Sequence, residues 1–116
     1  MARTQQLGTE AELNAQRHLQ QHGLQTLTRN HRCRGGEIDL IMQDGDTLVF
    51  VEVRLRRNNS YGGALASVDR RKQQRLTIAA QHYLQVYPWT GPCRFDVVAL
   101  DASGKPDWIK NAFEVS

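Results

Sequence analysis

The chain has 116 residues and a formal net charge of +3 at pH 7. Its hydrophobic content of 40% and charged content of 23% are ordinary for a globular protein and argue against disorder or a fibrous repeat. No uncharged apolar run approaches the ~20 residues that cross a bilayer, and the N-terminus lacks the apolar region of a secretory signal. We therefore expect one cytoplasmic domain over residues 1–116, without a membrane segment.

The first half of the chain predicts one helix and three strands. Hydrophobic spacing indicates a helix over residues 7–21 that ends before Gly23. The three strands are expected at residues 24–28, 37–43 and 47–55. The last two are joined through Asp44-Gly45, a favoured hairpin turn, so they form an antiparallel pair.

The second half predicts a helix over residues 68–87, with Ser67 as its N-cap, and a strand over residues 94–100. From about residue 104, Gly-Lys-Pro turns the chain into a short C-terminal tail. The order α-β-β-β-α-β predicts a mixed sheet with helices packed on it, which is an α/β fold (α+β mixed sheet).

Acidic residues of the hairpin fall on one face if its strands alternate regularly. With Asp44-Gly45 as a two-residue loop, Asp39 faces Phe50 and Glu37 faces Glu52, which places Asp39 diagonal to Glu52. A slip of one residue would place Asp39 and Glu52 on opposite faces of the sheet.

Glu52 lies in a strand that is apolar on both sides, so we expect its carboxylate to be at least partly buried. A buried carboxylate without a partner costs several kcal/mol, so a cation must neutralise it. A salt bridge to Arg54, Arg56 or Lys72 would do so, and a divalent metal would do so equally well.

Two further charged residues lie on the apolar faces of the predicted helices. Glu12 falls within the apolar stripe of the first helix, and Lys72 interrupts the stripe of the second. Capping by Glu12 and an extended Lys72 that keeps its ammonium group in water are the structural alternatives to a site.

Cations are concentrated in the region from residue 54 to residue 75, where a single acid accompanies them. Such a surplus is typical of a nucleic-acid-binding surface, although a solvated basic face without a partner is the alternative. The cations are Arg54, Arg56, Arg57, Arg70, Arg71, Lys72 and Arg75.

The two cysteines do not form a metal-binding motif. Cys33 and Cys93 are far apart in the chain, with neither a CxxC motif nor a nearby histidine pair. A zinc site of the usual spacing is therefore not expected.

The run GEIDLI at residues 36–41, followed by FVEVR at residues 50–54, resembles the PD-(D/E)XK nuclease signature. Together with the Glu12 helix, Lys72 and the run CRFDVV at residues 93–98, it resembles the YraN-like family of predicted nucleases, which are similar to archaeal Holliday-junction resolvases. The resemblance extends over about residues 7–113.

The resemblance implies a restriction-endonuclease-like core and a role for each matching residue. Asp39 and Glu52 would bind Mg²⁺ or Mn²⁺, and Glu12 would approach the metal directly or through water. Lys72 would stand near the scissile phosphate. Arg54 occupies the position that is lysine in the superfamily; it cannot act as a base but can clamp a phosphate oxygen.

Three functions follow from these residues. The first is a metal-dependent endonuclease that acts on DNA, including branched or recombination intermediates. The second is a non-catalytic nucleic-acid-binding protein with the same fold, which Arg54 favours slightly. The third is a protein-interaction domain whose acidic residues form a salt-bridge network. Cutting a symmetric junction would require two active sites and hence a homodimer.

Overall fold

The structure is a computed structural model, and it describes residues 3–55 and 68–114. Within them the elements are α1 (Arg3–Gln21), β1 (Gln25–Cys33), β2 (Gly36–Asp44), β3 (Thr47–Leu55), α2 (Arg70–Val86), β4 (Cys93–Leu100) and β5 (Pro106–Phe113). The strands form one sheet in the order β1-β2-β3-β4-β5. In the described part of the chain, neither helix combines the length and apolar character that crossing a membrane requires.

The sheet is mixed, as predicted. β3 and β4 are parallel and are connected through α2, whereas the other neighbouring strands are antiparallel. A parallel pair needs a crossover connection, and a helix that packs back onto the sheet provides it. The α/β fold (α+β mixed sheet) is therefore confirmed, and it is consistent with a restriction-endonuclease-like core.

Both faces of the sheet are covered, which explains why β3 is apolar on both sides. One face packs on α1 through buried residues that include Ala15, Leu19, Leu40, Val51 and Val98. The opposite face packs on α2 through buried residues that include Ile41, Phe50, Leu76, Tyr83 and Val97. Glu52, which shares the face of Phe50, is thereby buried between the sheet and α2.

Several predicted boundaries were wrong: α1 begins at Arg3 rather than at residue 7, and β1 extends to Cys33 rather than ending at residue 28. Helix α2 begins at Arg70, and its N-cap is Asp69 rather than Ser67, which lies outside the described residues. The carboxylate of Asp69 accepts a hydrogen bond from the backbone N–H of Lys72 at 2.9 Å. An aspartate is favoured at this position because it satisfies an unpaired N–H and complements the positive end of the helix dipole.

The predicted C-terminal tail is strand β5, paired with β4. The buried carboxylate of Asp96 on β4 accepts hydrogen bonds from the indole N–H of Trp108 and the backbone N–H of Asn111, each at 2.9 Å. The guanidinium group of Arg94 adds a third partner at 3.0 Å. Since a buried charge must be hydrogen-bonded, Asp96 holds the end of the chain against the sheet.

The hairpin between β2 and β3 is shifted by two residues from its predicted register. Asp44 pairs with Thr47 and Ile41 with Phe50, so the loop consists of Gly45-Asp46 and not of Asp44-Gly45. Gly45 has a φ of 61° and takes the first central position of the loop, where type II′ turns place glycine. A shift by two residues preserves which face each side chain occupies.

Besides the register shifts between Thr26 and Thr28 and between Phe95 and Val97, regular alternation breaks at the level of Asn30 and Asp39. Leu40 packs on the α1 side, but Ile38, which regular alternation would place beside it, packs on the α2 side. In β1, Asn30 lies between the pairs Arg29↔Leu40 and His31↔Ile38 and has a φ of 53°. At this level both strands therefore exchange the faces that their side chains occupy. The predicted alternation of β2 is wrong for the residues that precede Asp39.

Helix α2 lies very close to the start of β2. A Cβ atom at Gly36 would collide with the backbone carbonyl of Arg75, so glycine permits this approach. Two turns further along α2, His82 Nδ1 lies 3.0 Å from Nε2 of His31 on β1. These contacts set the height of α2 above the sheet, and with it the position of Lys72.

We expect Gly36→Ala to lower the free energy of unfolding by about 1–3 kcal/mol, because the added methyl group overpacks the contact between β2 and α2. Urea denaturation measures this loss. Gln81→Ala, at an exposed position on α2, serves as the control and should change stability by less than about 0.5 kcal/mol. A Gly36→Ala variant as stable as the parent would show that α2 does not pack this closely.

Candidate active site

The site begins where β2 and β3 separate. Their pairing ends at Leu40↔Val51, and beyond it the Asp39 Oδ2 atom accepts a hydrogen bond from the backbone N–H of Val53 at 2.8 Å. This hydrogen bond satisfies a donor that the separating strands would otherwise leave without a partner. The carboxylate of Asp39 is therefore held in the gap between the two strands.

Glu52 lies beside Asp39, as the sequence predicted. It is 2% exposed, and its Oε2 atom lies 3.2 Å from Lys72 Nζ and 3.4 Å from Arg54 Nη1. Burial raises the pKa of Glu52 to about 8, and the charge of Asp39 and a hydrogen bond between the two side chains act in the same direction. Lys72 opposes the rise in pKa only in part. The site therefore favours the protonated form of Glu52.

Glu12 approaches this pair from α1. Burial raises its pKa, and the neighbouring charge of Asp39 raises it further. A hydrogen bond with the side chain of Asn30 and the charges of Arg29 and Arg32 act in the opposite direction. We call Glu12, Asp39 and Glu52 the carboxylate cluster. It contains the predicted acidic residues, one from α1 and two from the hairpin.

The carboxylate cluster is a contacting pair with a third neighbour and not a closed cage. Among residues 3–55 and 68–114, no three histidine, cysteine or acidic side chains converge into a complete metal-binding group. Oxygen ligands from two carboxylates nevertheless match the chemistry of a hard divalent cation, which also takes water and phosphate oxygens.

A basic recess adjoins Glu52 on the α2 side. It has a volume of about 190 Å³ and is lined by Arg54, Asp69, Arg71, Lys72 and Arg75. Two of the residues that line the recess, Lys72 and Arg54, contact Glu52, so the recess lies next to the carboxylate cluster. We call the four cations that line the recess, Arg54, Arg71, Lys72 and Arg75, the α2-side cations.

The described residues include one further predicted cation, Arg70. Arg70 lines a different depression, together with residues that include Ile78 and Phe113. Arg56 and Arg57 lie outside the described residues. Their predicted contacts with nucleic acid remain predictions.

The sequence interpretation missed three residues of β1 that act on the site: Arg29, Asn30 and Arg32. An asparagine inside a strand-like run is a weak signal for a left-handed residue, because asparagine tolerates that conformation better than most. Nothing in the local sequence shows that this strand lies next to the carboxylate cluster, because that neighbourhood arises from the pairing of β1 with β2.

The raised pKa of Glu52 predicts a pH-dependent stability in the absence of divalent metal. Between about pH 4.5 and 8 the folded protein retains a proton on Glu52 that the unfolded chain releases. Stability should therefore fall as the pH rises through this window, by on the order of a few kcal/mol, and then level off. Urea denaturation in EDTA across this range measures the effect.

Glu52→Gln should flatten this dependence, because glutamine does not titrate, whereas Glu10→Gln, at an exposed position on α1, should leave it intact. Equal slopes for the parent and Glu52→Gln would contradict the assignment.

Comparison with known proteins places the chain in a family. The family described as "Uncharacterised protein family UPF0102" matches residues 11–100. The UPF0102 protein of Pseudomonas fluorescens (strain Pf-5) is 53% identical over 96% of this chain and 95% of its own length. That of Stutzerimonas stutzeri (strain A1501) is 56% identical over 98% and 99%. The matched region includes the carboxylate cluster and the α2-side cations, and the chain therefore belongs to the UPF0102 family, the YraN-like family that its motifs resemble.

Proposed function

We propose that this protein is a metal-dependent endonuclease that hydrolyses phosphodiester bonds in DNA. The observation that carries the proposal is the buried Glu52, in contact with Asp39 and open to the α2-side cations. Buried acidic groups with shifted pKa values beside a charged recess are typical of catalytic sites. The recess supplies cations for a phosphate, and the carboxylates supply ligands for a divalent ion.

The residues fit a magnesium or manganese ion. Burial and the charge of Asp39 favour the protonated form of Glu52, and a bound divalent cation would favour its charged form instead. Mg²⁺ retains several waters and commonly binds one or two carboxylates plus a substrate phosphate. Asp39 and Glu52 would therefore hold it, and Glu12 would contact it through water.

The divalent ion and the basic side chains of the site would have different roles in hydrolysis. When bound, the divalent ion would offset charge on the phosphate and lower the pKa of the attacking water. Arg54 would clamp a phosphate oxygen, since its guanidinium group stays charged at any working pH. Lys72, 3.2 Å from Glu52, carries an ammonium group that can exchange a proton, so it is the better candidate for proton transfer. Arg71 and Arg75 would hold the adjoining backbone.

Branched DNA is the substrate that we propose for this endonuclease. Contacts from arginine and lysine to backbone phosphates position nucleic acid without reading its sequence. Recognition would therefore depend on the shape of the DNA. A symmetric junction offers two equivalent phosphodiesters, so its resolution would require two copies of this site and hence a homodimer.

A second function, non-catalytic binding of nucleic acid, is favoured by one observation. Lys72 and Arg54 both contact the same Oε2 atom of Glu52, so the chain itself supplies part of the charge that a metal would provide. Arg54 also removes the lysine of the superfamily pattern. In this case the α2-side cations would bind DNA without cleavage.

We expect cleavage of closed circular DNA and of four-way junctions in Mg²⁺, and none in EDTA. Asp39→Asn and Glu52→Gln should each reduce the rate by about 10²-fold or more, because each removes charge from the reacting centre. Gel electrophoresis of the products measures the rate.

Asp46→Asn is the matched control, since Asp46 is an exposed acid in the β2–β3 turn, and its rate should equal that of the parent. Cleavage that persists in Asp39→Asn would reveal a contaminating nuclease. Salt-sensitive DNA binding without any cleavage would support the non-catalytic function.

Metal binding has a readout that does not depend on activity. Mg²⁺ at 100 times its dissociation constant should stabilise the protein by about 2.7 kcal/mol. At a fixed Mg²⁺ concentration the gain should grow from about pH 6 to pH 8, because Glu52 must lose its proton to bind the ion. Thermal denaturation with and without Mg²⁺ measures it, and Asp39→Asn should abolish it. An equal shift in Asp39→Asn and the parent would exclude this metal site.

A further inference from the structure

Two arginines of β1 lie on the same side of the sheet although they are three residues apart. Arg29 pairs with Leu40, which packs on the α1 side. His31 contacts α2, so its neighbour Arg32 also faces the α1 side. In a regular strand, positions 29 and 32 would face opposite ways. The left-handed Asn30 between them brings both arginines to one face.

This face is the one from which Glu12 reaches the carboxylate cluster. Asn30 contributes a hydrogen bond to Glu12, and both arginines lie near enough to influence its charge. The α2-side cations reach the cluster from the opposite face of the sheet, through Lys72 and Arg54. The carboxylate cluster therefore has cations on two sides.

Within residues 3–55 and 68–114, both arginines are exposed and the ion pair that Arg32 makes is weak. The side chain of Arg32 is 73% exposed, and its pair with Glu37 is 3.5 Å long with Glu37 itself 39% exposed. An ion pair this exposed contributes little to stability. Arg29 is also exposed. Two guanidinium groups beside an acidic centre, with most of their hydrogen-bonding capacity in solvent, suit an anionic ligand that approaches the centre.

We propose that Arg29 and Arg32 bind backbone phosphates of the nucleic acid on the α1 side of the carboxylate cluster, opposite the α2-side cations. The inference rests on the proposed function and adds the path of the substrate. The backbone crosses the cluster, with phosphates held on both sides of the one at the metal site. Substrates with chain on both sides of the scissile bond would gain both sets of contacts.

The electrostatics of the site supply the reason for two sets of cations. Three carboxylates repel a phosphate backbone. Cations on only one side of the carboxylate cluster would bind the phosphates on that side and would not attract the strand across the cluster. A second set beyond the cluster draws the strand across it. The alternative role for cations on an edge strand is to prevent pairing with another sheet.

The test compares three double variants, each lacking two positive charges. They are Arg29→Ala/Arg32→Ala, Arg71→Ala/Arg75→Ala, and the control Arg17→Ala/Lys110→Ala. Arg17 is exposed on α1, and Lys110 is exposed on β5, at the opposite edge of the sheet from β1. Binding of a short DNA duplex is measured by fluorescence anisotropy over a series of salt concentrations in EDTA, where no cleavage interferes.

The β1 variant and the α2 variant should each bind more weakly, and each should reduce the slope of log K against log[salt] by about 2, since each phosphate contact contributes about 0.9. The control should keep the slope of the parent. The quadruple variant, which combines the β1 and α2 substitutions, should reduce the slope of log K against log[salt] by about 4. Each site should bind one duplex in every variant.

The outcomes separate this inference from the proposed function. If the α2 variant loses slope and the β1 variant behaves like the control, the β1 path is wrong while DNA binding stands. If the β1 variant self-associates with its slope unchanged, the arginines protect the sheet edge and the inference is overturned. If no variant changes the slope, nucleic-acid binding by this site fails as a whole.

Discussion

The burial of Glu52 against Asp39 is the constraint on which the site depends. Burial disfavours the charged form of Glu52, and the neighbouring charge of Asp39 disfavours it further. Lys72 from α2 and Arg54 from β3 offset part of this cost at one oxygen of Glu52. The rest must be met by a proton or by an added cation. Glu52 therefore needs a proton or an added cation, whichever reaction the protein catalyses.

Backbone geometry fixes the positions of the charged groups around Glu52. Val53 donates its N–H to Asp39 where the strands separate, and Gly36 lets α2 approach closely enough for Lys72 to reach Glu52. Neither contact is itself chemical machinery. Each nevertheless determines the distance between a carboxylate and its partner, and in a poorly hydrated site electrostatic energy depends strongly on that distance.

Sequence patterns predicted the elements and the main acidic residues well, for physical reasons that can be named. Apolar runs on both sides of β3 require cover on both faces, and a carboxylate within such a run must be buried. Parity then placed Asp39 and Glu52 together, and the shift of two residues in the hairpin left that result unchanged. A charged side chain on an apolar helix stripe, as at Glu12 and Lys72, indicated contact with the sheet.

What the sequence could not predict depends on contacts between distant segments. At Asn30 and Asp39 the side chains of β1 and β2 exchange the faces of the sheet that they occupy. The exchange must occur at the same level in both strands if they are to remain paired. Strand β5 likewise lacks a strong pattern of its own. Its pairing with β4 is reinforced by the hydrogen bonds that Asp96 accepts from it.

Asp96 also has a consequence for where this domain ends. The family model matches residues 11–100 and so ends before β5 begins, although relatives align over 96–98% of the chain. A shortened chain cut at that limit would remove the indole and backbone donors of Trp108 and Asn111 while retaining the acid that needs them. The cooperative folding unit therefore extends past the end of the family model, because the buried carboxylate of Asp96 needs the hydrogen-bond donors that β5 supplies.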